Sequence, residues 1–202
     1  MGVDEPYGIV DGQELEQGDF IKRCPVYVPE YIPTIAEEFD AEKTIKYSLQ
    51  TKEYTFNVVV MTQSCDLRPD KISFVVLCPY WSLEEMIARD ENLRPKKMQE
   101  KIRQGYIPNY HMLHECGLSK MPHGIQIVDF RLTFTMPFNF LTQFAESQGE
   151  RLRLLSPYKE KLSHAFGHFF SRVGLPQDIP PFTKYLSLAQ IKGNMRGSEK
   201  LS

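Results

Sequence analysis

The stretch Val58 to Leu67 reads VVVMTQSCDL: three valines in succession run into Thr62, Gln63, Ser64, Cys65 and Asp66, side chains able to do chemistry. A cysteine attacks as its thiolate, which needs a base or a positive environment to form near neutral pH. Candidate bases stand at His111 and His114, in YHMLHEC, and at His123. Strand parity points Gln63 the same way as Cys65. Cys65, Gln63, Asp66 and His111 are therefore the candidate catalytic set. The plainer reading of the same residues is a small buried thiol after a valine run, with Asp66 capping the turn through its side chain. The local signatures around papain-type or caspase-type cysteines are not present.

A second group, Arg151 and Arg153 in RLRLL with Lys159 close behind, puts two guanidiniums on one strand face. Such a patch holds phosphate or an acidic partner, or is simply a solvated face. The whole chain of 202 residues carries a net charge of −2, but unevenly: residues 1–50 hold 11 Asp/Glu against 4 Lys/Arg, and the remainder holds 15 against 20. An acidic front and a basic back suit association between molecules.

No metal or cofactor is expected. A hairpin turning near Pro69 would hold Cys65 and Cys78 roughly 15 Å apart at about 3.3 Å per strand residue, too far to share a metal. His164 and His168 are spaced i, i+4 but without the accompanying glutamate of a zinc-protease helix. There is no Gly-rich phosphate loop, zinc-finger spacing or paired RNA-binding aromatic motif. The four cysteines are scattered without a CxxC pair and are expected as free thiols.

The elements that would position these groups are mainly strands in the first half: FIKRCPVYVP after the Gly18-Asp19 turn, KTIKYSLQ, YTFNVVVMTQ and ISFVVLCP. Pro25 and Pro29 place the strand around Val26 at an edge or a bulge, and Val58–Val60 mark a central strand. Ser82 and Glu85 form a capping box for a short helix, Pro95 begins a second that ends at Gly105, and together they read as a helical insertion at about 82–105. Val128, Phe130, Leu132, Phe134 and Met136 alternate as one strand, leaving Asp129 and Arg131 as a solvated pair. A helix from about Phe138 to Gln148 stops at Gly149. The longest helix runs Ser156–Val173 with Leu162, Phe166, Phe169 and Val173 buried on one face. After a short helix near Leu186 to Ile191 the chain ends in a basic tail.

Two resemblances follow from these segments. The order Gly18-Asp19 turn, strand, acidic connection Glu37 to Glu42, strand, then NVVVMTQ is similar to the start of the PemK/MazF-like toxins, small β-barrels that cleave RNA; this implies a barrel-like sheet. TQSCDL followed by RLRLLSPYKEKLSHAFGHFFSRVGLP resembles a set of uncharacterised bacterial proteins, which implies a bacterial, cytoplasmic chain that folds as one unit.

The expectation is an α+β domain over 1–182, a curved antiparallel sheet or small partly closed β-barrel with a helical insertion and a C-terminal packing helix, followed by a basic tail at 183–202. No apolar run reaches membrane-spanning length. The expected function is an accessory or binding subunit of a nucleic-acid-related or defence complex, with a protein partner or a second copy of the chain and nucleic acid as a further candidate ligand. An RNase-like toxin relative and a cysteine hydrolase or transferase using Cys65 are the alternatives.

Overall fold

The computed structural model describes residues 5–34, 46–118 and 124–171. His123, the basic tail and the acidic connection Glu37 to Glu42 lie outside the described residues, as do the expected helix near Leu186 to Ile191 and the 182/183 boundary. Residue contacts divide the chain into one compact unit, Met1–Phe170, and a remainder, Ser171–Ser202.

The compact unit is α+β and mostly antiparallel, and its sheet is not closed into a barrel among the described residues. Strands β1 (Tyr7–Val10), β2 (Phe20–Thr34), β3 (Lys46–Val60) and β4 (Phe74–Ser82) come first. Helices α1 (Leu83–Arg89) and α2 (Lys96–Arg103) follow, then β5 (Tyr110–Met112), β6 (Gln126–Asp129), β7 (Phe134–Pro137), α3 (Phe138–Gln148), β8 (Arg151–Leu154) and α4 (Tyr158–Phe170). The main sheet runs β2-β3-β4-β6-β5, with β7 also on β4, and β1 pairs with β8.

Alternation along β3 and β4 gives the sheet two apolar faces. One face, including Phe20, Val59, Cys78, Tyr80 and Phe130, packs against β8 and Leu162 of α4. The other, including Ile21, Val58, Val60 and Leu77, packs against Leu141 and Ala145 of α3. The helical insertion closes a third cluster around Trp81, Met86, Ile102 and Ile127. Its start is the expected capping box: Ser82 accepts from the Glu85 N–H, and the Glu85 carboxylate accepts from the Ser82 N–H. Pro95 stands one place earlier than expected, as the cap before α2 rather than inside it.

Three expectations are corrected. The alternating run from Val128 to Met136 is two strands, β6 and β7, separated by a turn in which the Asp129 carboxylate accepts from the Arg131 N–H and from its guanidinium. Asp129 is buried there while the Arg131 side chain stays half-exposed, so only one member of the pair is solvated. From Lys46 onward the segments KYSLQ and YTFNVVV are one continuous strand of 15 residues, with no connection at Thr51 to Glu53. The aromatic face of α4 is only half-buried: Phe166 and Phe169 meet Phe130 at 5.4 and 6.1 Å between ring centres, and Phe170 is exposed.

Gly18 joins the two sheets. Its N–H donates to the Val60 carbonyl and its own carbonyl accepts from the Leu154 N–H. With φ +89 and Leu154 backbone and Cβ atoms within 3.0–3.4 Å of where a Cβ would stand, only glycine fits without displacing β8.

Candidate functional site

The strand delivering TQSCD ends at Val60, so the polar residues lie on a loop rather than at a strand end. Two of them do ladder work. The Val76 N–H donates to the Thr62 hydroxyl at 2.8 Å, replacing the carbonyl the departing strand no longer offers. Ser64 accepts from the Gln17 N–H at 3.1 Å, while the Gln17 amide donates to the Met61 carbonyl at 2.9 Å. Together they staple the Glu16–Gly18 segment to the sheet.

Cys65 is exposed, and its sulfur lies 3.8 Å from Gln63 Oε1. Lys71 donates to the Cys65 carbonyl at 2.6 Å and lies 3.8 Å from the Asp66 carboxylate. The turn is closed by backbone bonds, Asp66 N–H to Gln63 and Arg68 N–H to Asp66. No histidine contacts the Cys65 sulfur among the described residues. His111 stands elsewhere, stacked on Phe130 and sharing a small cavity with His114, Leu154, Tyr158 and Lys161. Burial, then the charges of His114 and Lys161, pushes the His111 imidazole down to about 4. Burial and Lys161 also lower His114, whose ring meets Tyr158 edge-on at 4.4 Å. Gln63, Cys65 and Asp66 are thus brought together, and His111 belongs to a different cluster. His164 and His168 are both exposed on α4.

Arg151 and Arg153 share a face as parity requires, but that face turns inward. Arg151, 4% exposed, donates to Asp19 Oδ2 at 3.0 Å, to the Gly12 carbonyl at 2.8 Å and to the Glu14 carbonyl. Arg153 binds both oxygens of Asp19 and reaches Glu16 at 2.7 Å, and Lys159 lies 3.3 Å from the other Glu16 oxygen. Asp19 itself is fully buried. The acidic front and basic back therefore meet inside one molecule. The cluster's function here is to hold residues 12–19 against β8.

A region that sequence reasoning missed lies at the other end of the same strands. Beyond Asn57, β3 pairs only with β2, because its pairing with β4 covers just Val58–Val60. Residues 24–34 and 46–57 therefore form a two-stranded arm, which alone in water is marginally stable at best. The outer edge of β2 carries Pro25, Pro29 and Pro33 at register positions of one parity, opposite Thr55, Thr51 and Tyr47. Proline supplies no N–H there, so the edge is blunted against an added strand. The face bearing Tyr27 and Pro29 is exposed, with Tyr27 56% accessible and its phenol raised by the charge of the neighbouring Glu53. On the opposite face Tyr54, 43% accessible, stacks on Phe56, and Lys52 pairs with Glu30 at 2.7 Å. The signal was present as the Pro-Val-Tyr-Val-Pro-Glu-Tyr-Ile-Pro run, whose prolines recur every fourth residue.

Comparison with protein-family models, with curated proteins and with solved structures found no match to this chain.

Proposed function

We propose that this chain is a binding subunit of a larger assembly and that the β2–β3 arm is the part it presents to a protein partner. The observation that carries this reading is the arm's length: a 15-residue pair of strands continues far beyond the sheet that could cover it. A ribbon of that kind keeps exposed tyrosine and proline, which supply contact area at low entropic cost, where no core of its own needs them. Charge favours protein over nucleic acid. The arm's own strands, residues 24–34 and 46–57, carry two Glu and two Lys, a net of zero, without the positive excess that a phosphate backbone attracts. The blunted β2 edge directs docking to a face of the arm. A bacterial, cytoplasmic, nucleic-acid-related or defence complex is the setting of the same proposal, and it rests on the two sequence resemblances alone.

The test is quantitative affinity capture from the source organism with the wild-type chain and with a Tyr27→Lys/Thr55→Lys variant, whose changes lie on one exposed face. A partner recovered in stoichiometric amount by the wild type and lost from the variant, at unchanged melting temperature, supports the reading. Equal recovery by both, or no stoichiometric partner, overturns it.

A further inference from the structure

The two edges of the arm are built differently. On the β2 edge Pro25, Pro29 and Pro33 recur every fourth residue, and each withholds an N–H. The β3 edge carries no proline from Lys46 to Val60, and the register between the two strands is unbroken from Cys24 to Thr34. Lys52, a residue type that guards free edges, is tied back to Glu30 at 2.7 Å.

The base of β3 fixes the direction of its backbone groups. The Val60 N–H donates to the Asp19 carbonyl and the Val60 carbonyl accepts from the Gly18 N–H, both on the β2 side. The next N–H, of Met61, donates to the Val76 carbonyl of β4, on the other side. Alternation therefore turns the even-numbered residues of β3 toward β2 and the odd-numbered ones away from it. The prolines agree with this. They stand opposite Thr55, Thr51 and Tyr47, pairs whose N–H and carbonyl positions point outward on both strands, so no bond between β2 and β3 is lost to them. Strand β4 covers the outward side of β3 only as far as Val58. Beyond it Tyr47, Leu49, Thr51, Glu53 and Thr55 present their backbone groups to an edge that no described strand occupies. Gln50 to Thr55 are exposed without interruption.

We propose that this edge pairs with the same edge of a second copy of the chain, antiparallel across a two-fold axis, giving a four-stranded sheet in the order β2-β3-β3-β2. Self-pairing of one edge is isologous and closes at two copies, and the prolines on the outer strands stop a further strand from adding. Charge suits the pairing. With Thr51 on the axis, Lys52 stands opposite Gln50 and Glu53 opposite Leu49, so no like charges meet, and Thr51 faces Thr51, a favourable cross-strand pair. That register extends over residues 47–55 and forms about ten hydrogen bonds. It also widens a two-stranded ribbon, marginal alone, into a sheet. The pairing uses backbone groups at an edge and leaves both faces of each arm open, so it goes beyond the partner reading and does not depend on it.

Sedimentation equilibrium of the purified full chain, with no other protein present, tests the proposal. The wild type is expected to dimerise reversibly in the micromolar range, with no larger species. Thr51→Pro removes an outward N–H, as the prolines of β2 do, and is expected to weaken the dimer at least tenfold. Thr51→Lys and Thr51→Glu each set like charges across the axis and are expected to weaken it similarly, whereas an equimolar mixture of the two restores a dimer. The melting temperature of each variant monitors its folding. A wild type that stays monomeric throughout the micromolar range overturns the proposal and leaves the edge to an extended segment of another protein. A wild type that polymerises, or a dimer of undiminished affinity in the folded Thr51→Lys variant, overturns it as well.

Discussion

The same two strands, β2 and β3, serve opposite ends of this molecule under opposite physics. At the base, Ile21, Val58, Val59 and Val60 are completely buried, and even the charges are sealed in: Asp19 is held between two guanidiniums. In the arm, only the root is covered, where Cys24 and Val26 are buried and Phe56 stacks on Phe134, and beyond it the strands carry exposed tyrosine, threonine and proline. Removing a group at the base leaves a hole or an unpaired charge. Removing one in the arm exposes what was already wet. Stability is therefore concentrated at one end, and the surface we propose for recognition lies at the other.

The largest test of that division is Asp19→Ala. It would leave Arg151, 2% exposed at its side chain, without its charge partner and would release the hold on residues 12–19. Truncating one member of a buried ion pair costs about 3–5 kcal/mol. Chemical denaturation should show a loss of that size. A loss below about 1 kcal/mol would mean that the base is not the keystone and that the cluster behaves as a surface pair.

Acid gives the next effect. His111 sits near 4 in the folded chain against an ordinary 6.5, so between those values the unfolded chain takes a proton that the folded one refuses. Its contribution to stability is thus intact above pH 6.5 and falls as pH drops toward 4, where it levels off. The loss from this one group is about 3 kcal/mol. Equilibrium unfolding of the wild type and of His111→Leu across pH 4–7 should show a shallower acid dependence in the variant. Parallel curves would remove His111 from the base's account.

Much of this was legible in residue order. The capping box at Ser82, the stop at Gly149, the central valines and the edge placement of Val26 follow from local chemistry that tertiary contacts had no reason to override. What was hidden depended on partners distant in sequence. RLRLL shows that two arginines share a face, but only the return of residues 12–19 to that face decides that it points inward. The β6–β7 turn escaped because a tight turn preserved the period of two, and only the Asp129 contacts to Arg131 mark it. The arm looks like separate strands in the sequence because Thr51, Lys52 and Glu53 resemble a polar connection, and an uncovered ribbon tolerates such residues throughout. Likewise Phe166 and Phe169 fit a buried face by spacing, yet spacing cannot tell how much sheet lies beneath them.

The smallest effects separate two neighbours in the loop that follows the Val58–Val60 run. Ser64 accepts from the Gln17 N–H at a part-buried site, so Ser64→Ala leaves that donor unpaired and should cost about 1 kcal/mol. Cys65, one residue on, is exposed, and its sulfur's contact with Gln63 is a weak one at 3.8 Å. Cys65→Ser should shift stability by less than about 0.5 kcal/mol. If the stretch exists to fasten the Glu16–Gly18 segment to the sheet, partner capture by the arm should survive Cys65→Ser unchanged, and a cysteine-specific alkylating reagent should be equally without effect. Loss of capture on either treatment would transfer the functional weight from the arm to the loop, and a large loss of stability in Cys65→Ser would show that the thiol belongs to the base after all.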